Sequence, residues 1–401
     1  MGLYIYFSHP CPVKIWGLTS QQRIEKILKG IAHSVTADEF DSLEDNDSVL
    51  ILRADYLFDD RLVKYLATTP SITLQLSGDQ QEITVAAQVP ACLAQQALSV
   101  VEEKAIADSL PGITKQALAA MTISFQEKLL KFEPPFVLPV SAEKRLELEQ
   151  RLFDWSYKGI TDLVTKWVWP RPACWVVSHC VRLHIRPNHV TLIGFLLAFL
   201  TGIFFAYGQY AWGLLAGWLM TFLDTVDGKL ARVTVTSSKF GHYFDHIIDL
   251  IHPPIWYILW GLGLSSGQVD SLGFPLNTLF YLILIGYITG RLVEGSFQLF
   301  LGRFGIFCWR PLDSYFRLIT ARRNPNMIFL TLSYFMGRPD LGLLAVVFWT
   351  LATSIFLLIR LIAAAYMRSS QGPLKSWLAD ADQPKYEKSL AARWFTKHIR
   401  N

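Results

Sequence analysis

Charged side chains are scarce in this chain: Asp, Glu, Lys and Arg make up 17% of its 401 residues, whereas hydrophobic residues make up 52%. The mean hydropathy is +0.30. An ordinary soluble domain has about 25% charged residues, so this composition predicts an integral membrane protein. The formal net charge is only +4, and no long Lys/Arg block occurs. A nucleic-acid partner is therefore not expected.

Cysteine is also rare, and long apolar runs are missing from the first part of the chain. The five cysteines are odd in number and show no C-x-x-C spacing, which excludes a complete disulfide framework and a zinc ribbon. No stretch before residue 185 reaches the roughly 18 apolar residues that span a bilayer. The opening MGLYIYFSHP has no charged segment before its short apolar run, so it predicts a strand and not a signal peptide.

These patterns divide the chain into four parts. Residues 1–131 alternate β-rich and helical runs, which predicts a cytosolic α/β domain with a largely parallel sheet. Residues 132–185 predict a proline-containing linker and a long amphipathic juxtamembrane helix ending at Pro170, which lies on the bilayer surface or serves as a solvated connector. Residues 186–367 predict an α-helical polytopic membrane domain, and residues 368–401 a cytosolic tail.

Six transmembrane helices are predicted in the membrane domain. They cover residues 190–207, 209–226, 246–264, 275–294, 326–337 and 340–366. With the N-terminus inside, the inside loops between the helices carry eight Lys or Arg residues and the outside loops carry one. This positive-inside bias predicts that both termini and the segment 224–249 face the cytosol.

Four aspartates lie near the cytosolic ends of the second and third predicted helices. Asp224 and Asp227 are three residues apart, and Asp245 and Asp249 are four apart, so each pair shares one helix face. If these helices are antiparallel neighbours, the four carboxylates converge and repel one another unless a divalent cation neutralises them. Oxygen ligands of this kind predict Mg²⁺ or Mn²⁺, and Mg²⁺ keeps coordination positions for phosphate oxygens.

Small and basic residues accompany the aspartates. Gly228 and Gly241 leave room for a ligand close to the backbone. Arg232, about a turn beyond Asp227, carries the planar fork that binds phosphate. Carboxylates, a cation and a phosphate-binding arginine together predict phosphoryl-group chemistry at the membrane surface.

Eight positions fit the full pattern D-x2-D-G-x2-A-R-x8-G-x3-D-x3-D. They are Asp224, Asp227, Gly228, Ala231, Arg232, Gly241, Asp245 and Asp249. The chain therefore resembles the CDP-alcohol phosphotransferases, and RPNHVT at 186–191 is similar to the segment that opens the family's first span. The resemblance implies a six-helix membrane fold, usually a homodimer, in which an acceptor hydroxyl attacks the metal-bound pyrophosphate of a CDP-alcohol and CMP leaves. It implies a role in phospholipid or phosphodiester biosynthesis.

The resemblance also implies roles for individual residues. The metal ligands would be Asp224, Asp227, Asp245 and Asp249, with Asp249 also the general base. The CDP-alcohol site would be lined by Gly228, Ala231, Arg232, Gly241, Asn188 and Thr191. Two further residues, Arg322 and Arg323, lie outside the pattern. They either bind a phosphate of the acceptor or donor, or are positive charges that set the membrane orientation and contact lipid headgroups.

Two other interpretations use the same region. His242, Asp245, His246, Asp249 and His252 follow helical spacing and would suit a transition-metal site on one face. The acidic cluster would also suit a transporter or a non-enzymatic metal-binding membrane protein. Such a protein would bind or move a metal without producing CMP.

The N-terminal region has a second resemblance. SVLILRADYLFDD resembles the strand of sugar-phosphate nucleotidyltransferases that carries a metal-binding aspartate, here Asp55. A domain of this kind makes CDP-inositol in the fused enzymes of di-myo-inositol phosphate synthesis. In place of the glycine-rich loop of that family, this chain has SHPCPVKIWGLTSQQR, in which Gly17 and Arg23 match only in part. Because this segment has few glycines, its backbone cannot come as close to a phosphate. A degenerate, noncatalytic domain is favoured; a bifunctional enzyme that also makes its donor is the alternative.

Overall fold

The computed structural model describes most of the chain. The described residues are 2–77, 82–105, 110–118, 125–126, 130–237, 239–381, 383–387 and 389–396; for 125–126, 239–246, 384 and 387 only the backbone is described. The chain forms two compact units. The first comprises Met1–Phe125, Glu133–Ser156 and Val233–Val235, and the second comprises Gln126–Phe132, Tyr157–Arg232 and Thr236–Asn401.

A six-stranded mixed sheet lies in the first unit. The strands of the chain are β1 (Leu3–Ser8), β2 (His33–Ser34), β3 (Ser48–Arg53), β4 (Tyr56–Phe58), β5 (Ile72–Ser77), β6 (Glu82–Pro90), β7 (Thr114–Ala117), β8 (Phe125–Gln126), β9 (Lys131–Phe132) and β10 (Val137–Pro139). The sheet has the order β2-β1-β3-β6-β5-β7. β6 runs antiparallel to β3 and β5, while the other three pairings are parallel. The prediction of a largely parallel sheet is corrected at β6, because the four residues between β5 and β6 are too few for the crossover that parallel strands need.

Helices cover both faces of this sheet. The helices of the first unit are α1 (Ser20–Ile27), α2 (Asp60–Thr68), α3 (Ala94–Val101) and α4 (Arg145–Trp155). Because side chains alternate along a strand, Leu50 and Leu52 of β3 share a core with α1 and α2. Val49 and Ile51 share a second core with α3. The predicted α/β fold of the N-terminal region is confirmed.

The second unit is helical. Its helices are α5 (Pro170–Arg182), α6 (Pro187–Ala206), α7 (Tyr210–Val233), α8 (Lys239–Leu262), α9 (Ser266–Asp270), α10 (Leu276–Ser296), α11 (Pro311–Ile319), α12 (Arg323–Phe335), α13 (Pro339–Gln371), α14 (Pro384–Glu387) and α15 (Leu390–Phe395). The last residue of α7, Val233, falls in the first unit. A π-helical segment, Phe297–Gly302, continues α10.

Three helical segments within the described residues are long and apolar enough to cross a membrane: Pro187–Ala206, Leu276–Gly302 and Pro339–Gln371. They correspond to the first, fourth and sixth predicted spans, and the last has 33 residues. The other predicted spans lie on α7, α8 and α12. α12 has only 13 residues, and α7 and α8 carry the charged side chains of the aspartate-rich segment at their adjoining ends.

The long juxtamembrane helix predicted to end at Pro170 is interrupted in the structure. α4 ends at Trp155, and a π-helical turn, Val164–Val168, precedes α5. Gly159 lies in the break, where a Cβ would stand 2.6 Å from Lys131 Cβ and 2.7 Å from two backbone oxygens. The backbone at Gly159 therefore packs tightly against other segments, which periodicity does not reveal.

Tryptophans join the helices of the second unit. The indole N–H of Trp256 in α8 donates to the Ala198 carbonyl of α6 at 2.9 Å, and that of Trp218 in α7 donates to Thr331 Oγ1 of α12 at 2.9 Å. Burying these rings places apolar area in the core, while each N–H keeps a partner. On the outer surface, Phe348 of α13 is 70% exposed, as suits a side chain in contact with lipid.

The chain after α13 folds against α11. Trp377 Nε1 donates to Ser314 Oγ at 2.9 Å, and the ring of Phe395 packs edge-on against Tyr315, with the centroids 5.4 Å apart. The segment predicted as a tail therefore has buried side chains of its own, including Trp377 and Phe395.

Candidate functional site

A cavity of about 550 Å³ lies among the helix ends of the second unit. Its wall is built from α7, α8, α10, α11, the start of α12 and the segment that precedes the π-helical turn. The wall contains seven Lys or Arg residues and four Asp or Glu residues. A positive excess in a partly enclosed space favours an anionic ligand, because water screens the charges less there.

Two of the predicted aspartates face this cavity. Asp224 of α7 and Asp249 of α8 both line it, although they are 25 positions apart in the sequence. Arg323, the first residue of α12, connects them: its Nη1 donates to Asp249 Oδ1 at 2.7 Å, and its Nη2 donates to Asp224 Oδ2. The predicted convergence of α7 and α8 is therefore present for these two carboxylates, with an arginine as their shared cationic partner.

Asp227 lies beside the cavity wall in a buried position. Its side chain accepts a hydrogen bond of 2.7 Å from Thr191 Oγ1 of α6, and the residue is 7% exposed. Thr191 was predicted in the CDP-alcohol site. The structure places its hydroxyl on a predicted metal ligand, where it holds one orientation of the carboxylate.

The other residues predicted to line the CDP-alcohol site differ in their position relative to the cavity. Gly228 and Arg232 line the cavity, and a Cβ on Gly228 would lie 3.6 Å from both terminal nitrogens of Arg232. Ala231 is half-buried on the same helix, and Asn188 is exposed at the start of α6. The structure does not describe the side chains of Asp245, His242 and His246. It likewise does not describe whether Gly241 lines the cavity.

The third histidine of the alternative metal site has local partners. His252 Nδ1 is 2.7 Å from the Ile248 carbonyl oxygen, and its ring packs on Trp256 with the centroids 4.6 Å apart. These contacts are those of a core histidine.

Arginines form the other side of the cavity. Arg322 donates to Glu294 of α10, and Arg291 lies 3.5 Å from the same carboxylate. Arg317 of α11 also lines the cavity. Within the described part of the chain, its Nη1 and the Nε of Arg322 are buried without a hydrogen-bond partner. Buried donors of this kind are costly unless a ligand or water meets them, so this side of the cavity suits an anion.

A segment outside the predicted site completes the wall. Lys158, Asp162 and Thr165 line the cavity, and they come from the stretch that the sequence predicted as a juxtamembrane helix. Asp162 Oδ1 accepts hydrogen bonds from the backbone N–H groups of Val164 and Thr165 at 3.1 and 3.0 Å. It also accepts from Asn324 Nδ2 at 2.9 Å, which ties this segment to the start of α12.

The ionisable groups of this wall have shifted pKa values. Burial, together with Arg232, Arg317 and Arg322, lowers the pKa of Lys158. Burial alone would raise the pKa of Asp162, but Arg317 and the hydrogen bonds hold it below its usual range. Burial and then Arg322 lower the pKa of Arg317, which keeps its charge at neutral pH. The arginines therefore keep the wall cationic at neutral pH, while burial and neighbouring cations make Lys158 lose its charge at a lower pH than an ordinary lysine.

The donor chemistry of the aspartates fits a hard divalent cation, since carboxylate oxygens are the ligands Mg²⁺ and Mn²⁺ favour. Their arrangement is incomplete. Among the described side chains, no three Asp, Glu, His or Cys groups are gathered closely enough to hold an ion. Arg323 lies between Asp224 and Asp249, and the side chain of Asp245 is outside the described residues.

The predicted nucleotidyltransferase features of the first unit are engaged in internal contacts. Arg53 holds Asp55 through two hydrogen bonds, at 3.0 Å from Nε and 2.7 Å from Nη2. Arg23 is 2% exposed and pairs with Asp60 at 2.9 Å. Both the aspartate and the basic residue that the resemblance singled out therefore have protein partners.

The fold and the cavity define a multi-helix membrane protein with a charged cavity among its helix ends. Residues 184–295 match the model of the CDP-alcohol phosphatidyltransferase family. The matched segment includes α6, α7, α8 and most of α10.

Curated relatives carry related names. The chain is 40% identical over 85 residues to the archaetidylinositol phosphate synthase of Pyrococcus horikoshii, which covers 21% of this chain and 44% of that one. It is 27% identical over 199 residues to the bifunctional IPC transferase and DIPP synthase of Rubrobacter xylanophilus, which covers 49% and 42%. It is 32% identical over 123 residues to the phosphatidylinositol phosphate synthase of Streptomyces avermitilis, which covers 24% and 50%. The chain spans half or less of the length of each. The relative named as bifunctional supports the comparison with the fused enzymes.

Proposed function

We propose that the protein is a membrane transferase that moves a phosphatidyl or phosphoalcohol group from a CDP-alcohol to an acceptor hydroxyl and releases CMP, in phospholipid or phosphodiester biosynthesis. One observation carries the proposal: Asp224 and Asp249, from the two ends of the family pattern, face one cavity together with Gly228 and Arg232. All four lie within the segment that matches the family model.

The reaction follows from the placement of these groups. Asp249 takes the proton of the acceptor hydroxyl. The hydroxyl oxygen then forms a bond to phosphorus as the bond to the CMP oxygen breaks, and this in-line displacement needs mainly positioning. Arg232 binds a pyrophosphate oxygen of the donor above Gly228. A bound Mg²⁺ or Mn²⁺ would neutralise the pyrophosphate and stabilise the departing CMP. Its ligands would be Asp224, Asp227, Asp245 and Asp249.

The arginine side of the cavity binds an anionic group of the acceptor or donor. The buried, unpartnered donor atoms of Arg317 and Arg322 support this assignment. Unlike Arg322, Arg323 is not assigned to this anion site, because its guanidinium is already held by Asp224 and Asp249. The names of the synthases that match the chain agree with an acceptor or product that carries phosphate.

The N-terminal α/β unit is assigned as noncatalytic. The engagement of Asp55 by Arg53 and the burial of Arg23 against Asp60 support this, because neither residue is left available for a nucleotide or its metal. The bifunctional alternative requires both groups to be released.

The protein is assigned as a multi-pass membrane protein with both termini and the cavity on the cytosolic side, acting as a homodimer. The distribution of Lys and Arg between the predicted loops supports the orientation. The homodimer follows from the family resemblance.

The experiment is CMP release by the purified full-length protein, with Mg²⁺ or Mn²⁺, CDP-diacylglycerol or CDP-inositol, and a panel of polyol and polyol-phosphate acceptors. Release is expected to need one donor and one acceptor, and to disappear in Asp249→Asn. Asp270→Asn, which removes an exposed carboxylate of α9, is the matched control and should retain release. CTP with a polyol phosphate should yield no CDP-polyol. Divalent-cation transport without CMP release would contradict the proposal.

A further inference from the structure

Three consecutive residues at the start of α12 reach different partners. Arg322 contacts Glu294 of α10, Arg323 contacts Asp224 and Asp249, and Asn324 contacts Asp162. Successive residues of a helix point about 100° apart, so neighbours in the sequence can meet different elements. Among the three, Arg323 is the one whose partners are predicted metal ligands.

The contact of Arg323 has a clear electrostatic cause. Two carboxylates that touch one guanidinium are close enough to repel each other strongly in a partly buried site. The guanidinium offers five N–H donors in a planar fork, and here its two ends serve one carboxylate each. The Arg323 side chain is only 14% exposed, so solvent screens these contacts little.

The same contact limits where a cation can lie. A divalent ion bound by both Asp224 and Asp249 needs their oxygens to turn toward one point, and the guanidinium stands between them. An ion at that point would also face the positive charge of Arg323 at close range. The guanidinium and the ion therefore compete for the same two carboxylates.

We infer that Arg323 is a built-in counter-cation of the aspartate site, which a divalent ion must displace from Asp224 and Asp249 in order to bind. The inference rests on the proposed function for the presence of the ion. Arg323 thus stabilises the metal-free protein and lowers the affinity for the ion. Displacement frees the lone pairs of Asp249 that accept the acceptor's proton.

Metal affinity tests this role directly, without any turnover. The full-length protein in detergent is titrated with Mn²⁺, and free Mn²⁺ is followed by its electron paramagnetic resonance signal. The unfolding midpoint is measured in EDTA and in saturating Mn²⁺. Arg323→Gln is expected to bind Mn²⁺ at least tenfold more tightly than the unsubstituted protein, to melt lower in EDTA and to gain more from Mn²⁺.

Arg322→Gln is the matched control. It removes the same charge from the same cavity one residue away, but its partner is Glu294. We expect its Mn²⁺ affinity to change less than threefold. The comparison therefore separates direct competition for the carboxylates from the effect of removing one positive charge from the cavity. Arg323→Lys keeps the charge but replaces the planar two-ended fork by a single ammonium group. It should bind Mn²⁺ with intermediate affinity, and it carries the test if Arg323→Gln does not yield folded protein.

The outcomes separate this inference from the proposed function. Unchanged or weaker Mn²⁺ binding by both Arg323 variants, with binding by the unsubstituted protein that is lost in Asp249→Asn, overturns the inference alone. An equal gain in Arg322→Gln and Arg323→Gln also overturns it, because the field of the cavity would then explain the effect. Absence of Mn²⁺ binding in every protein overturns both the inference and the metal site of the proposed function.

Discussion

Replacing Asp162 by alanine should destabilise the second unit more than any other single change in the segment before α5. The carboxylate accepts four hydrogen bonds, from two backbone N–H groups, from Thr165 Oγ1 at 2.8 Å and from Asn324 Nδ2. It is 7% exposed and lies in the field of Arg317. Its removal leaves buried donors unpaired and a buried cation less compensated.

The magnitude follows from these contacts. Each hydrogen bond to a charged group contributes about 1.5–3 kcal/mol, but the four are not additive, because they share one carboxylate. Removing one partner of a buried charge interaction costs about 3–5 kcal/mol. For a domain of this size that cost corresponds to a fall of roughly 10 °C in the unfolding midpoint.

Thermal unfolding of the detergent-solubilised protein, followed by tryptophan fluorescence, measures the effect. Asp162→Asn keeps the shape and one acceptor oxygen, so it should lose less than Asp162→Ala. Thr165→Val removes the hydrogen bond from Oγ1 to Asp162 and the 3.2 Å bond that Oγ1 accepts from Asn324 Nδ2, but it leaves the carboxylate in place and should lose least, about 1–2 kcal/mol. Because the pKa of Asp162 is lowered in the folded protein, its stabilisation is present above about pH 4 and is lost as the pH falls through the folded value. Equal midpoints for the three variants would refute the reasoning.

Two further predictions concern activity. Thr191→Val removes the 2.7 Å hydrogen bond to Asp227 and should lower CMP release about 10–100-fold, the equivalent of one charge-assisted bond. Thr201→Val, whose hydroxyl donates only to a carbonyl of its own helix, should lower it less than about twofold, and equal losses would contradict the role of Thr191. Because its pKa is lowered, Lys158 loses its charge at a lower pH than an ordinary lysine, so the KM for an anionic acceptor should rise as the pH increases toward about 10. Lys158→Gln should raise the KM at neutral pH and weaken this dependence, whereas Lys166→Gln, which loses a contact to a backbone carbonyl, should do neither.

Local patterns predicted the parts of this protein that depend on local chemistry. The β-rich SVLILR run predicted a strand, and β3 is indeed a strand, buried on both faces. The spacing of the aspartates predicted that α7 and α8 direct carboxylates toward each other, which is seen for Asp224 and Asp249. The composition also predicted membrane helices, three of which are long and apolar enough among the described residues.

Contacts between distant segments were not predictable in the same way. Lys158 and Asp162 precede Asp224 by more than sixty residues, and nothing in helical periodicity indicates that they share a cavity with it. The break at Gly159 depends on backbone atoms of other segments. Arg323 is a basic residue before a short helix in the sequence, and only its position in the fold, within reach of α7 and α8, identifies the carboxylates as its partners.

The helix α13 is longer than the hydrocarbon layer of a bilayer is thick. Its 33 residues correspond to about 50 Å of helix, whereas the hydrocarbon layer is about 30 Å thick. Arg360, roughly 30 Å from the first residue, pairs with Asp313 of α11 at 2.6 Å. α11 packs along α13 from Trp349 to Arg360. The exposed apolar side chains of α13 and its pairing with α11 through Arg360 thus lie on one continuous helix, so lipid contact and the anchoring of α11 are mechanically linked.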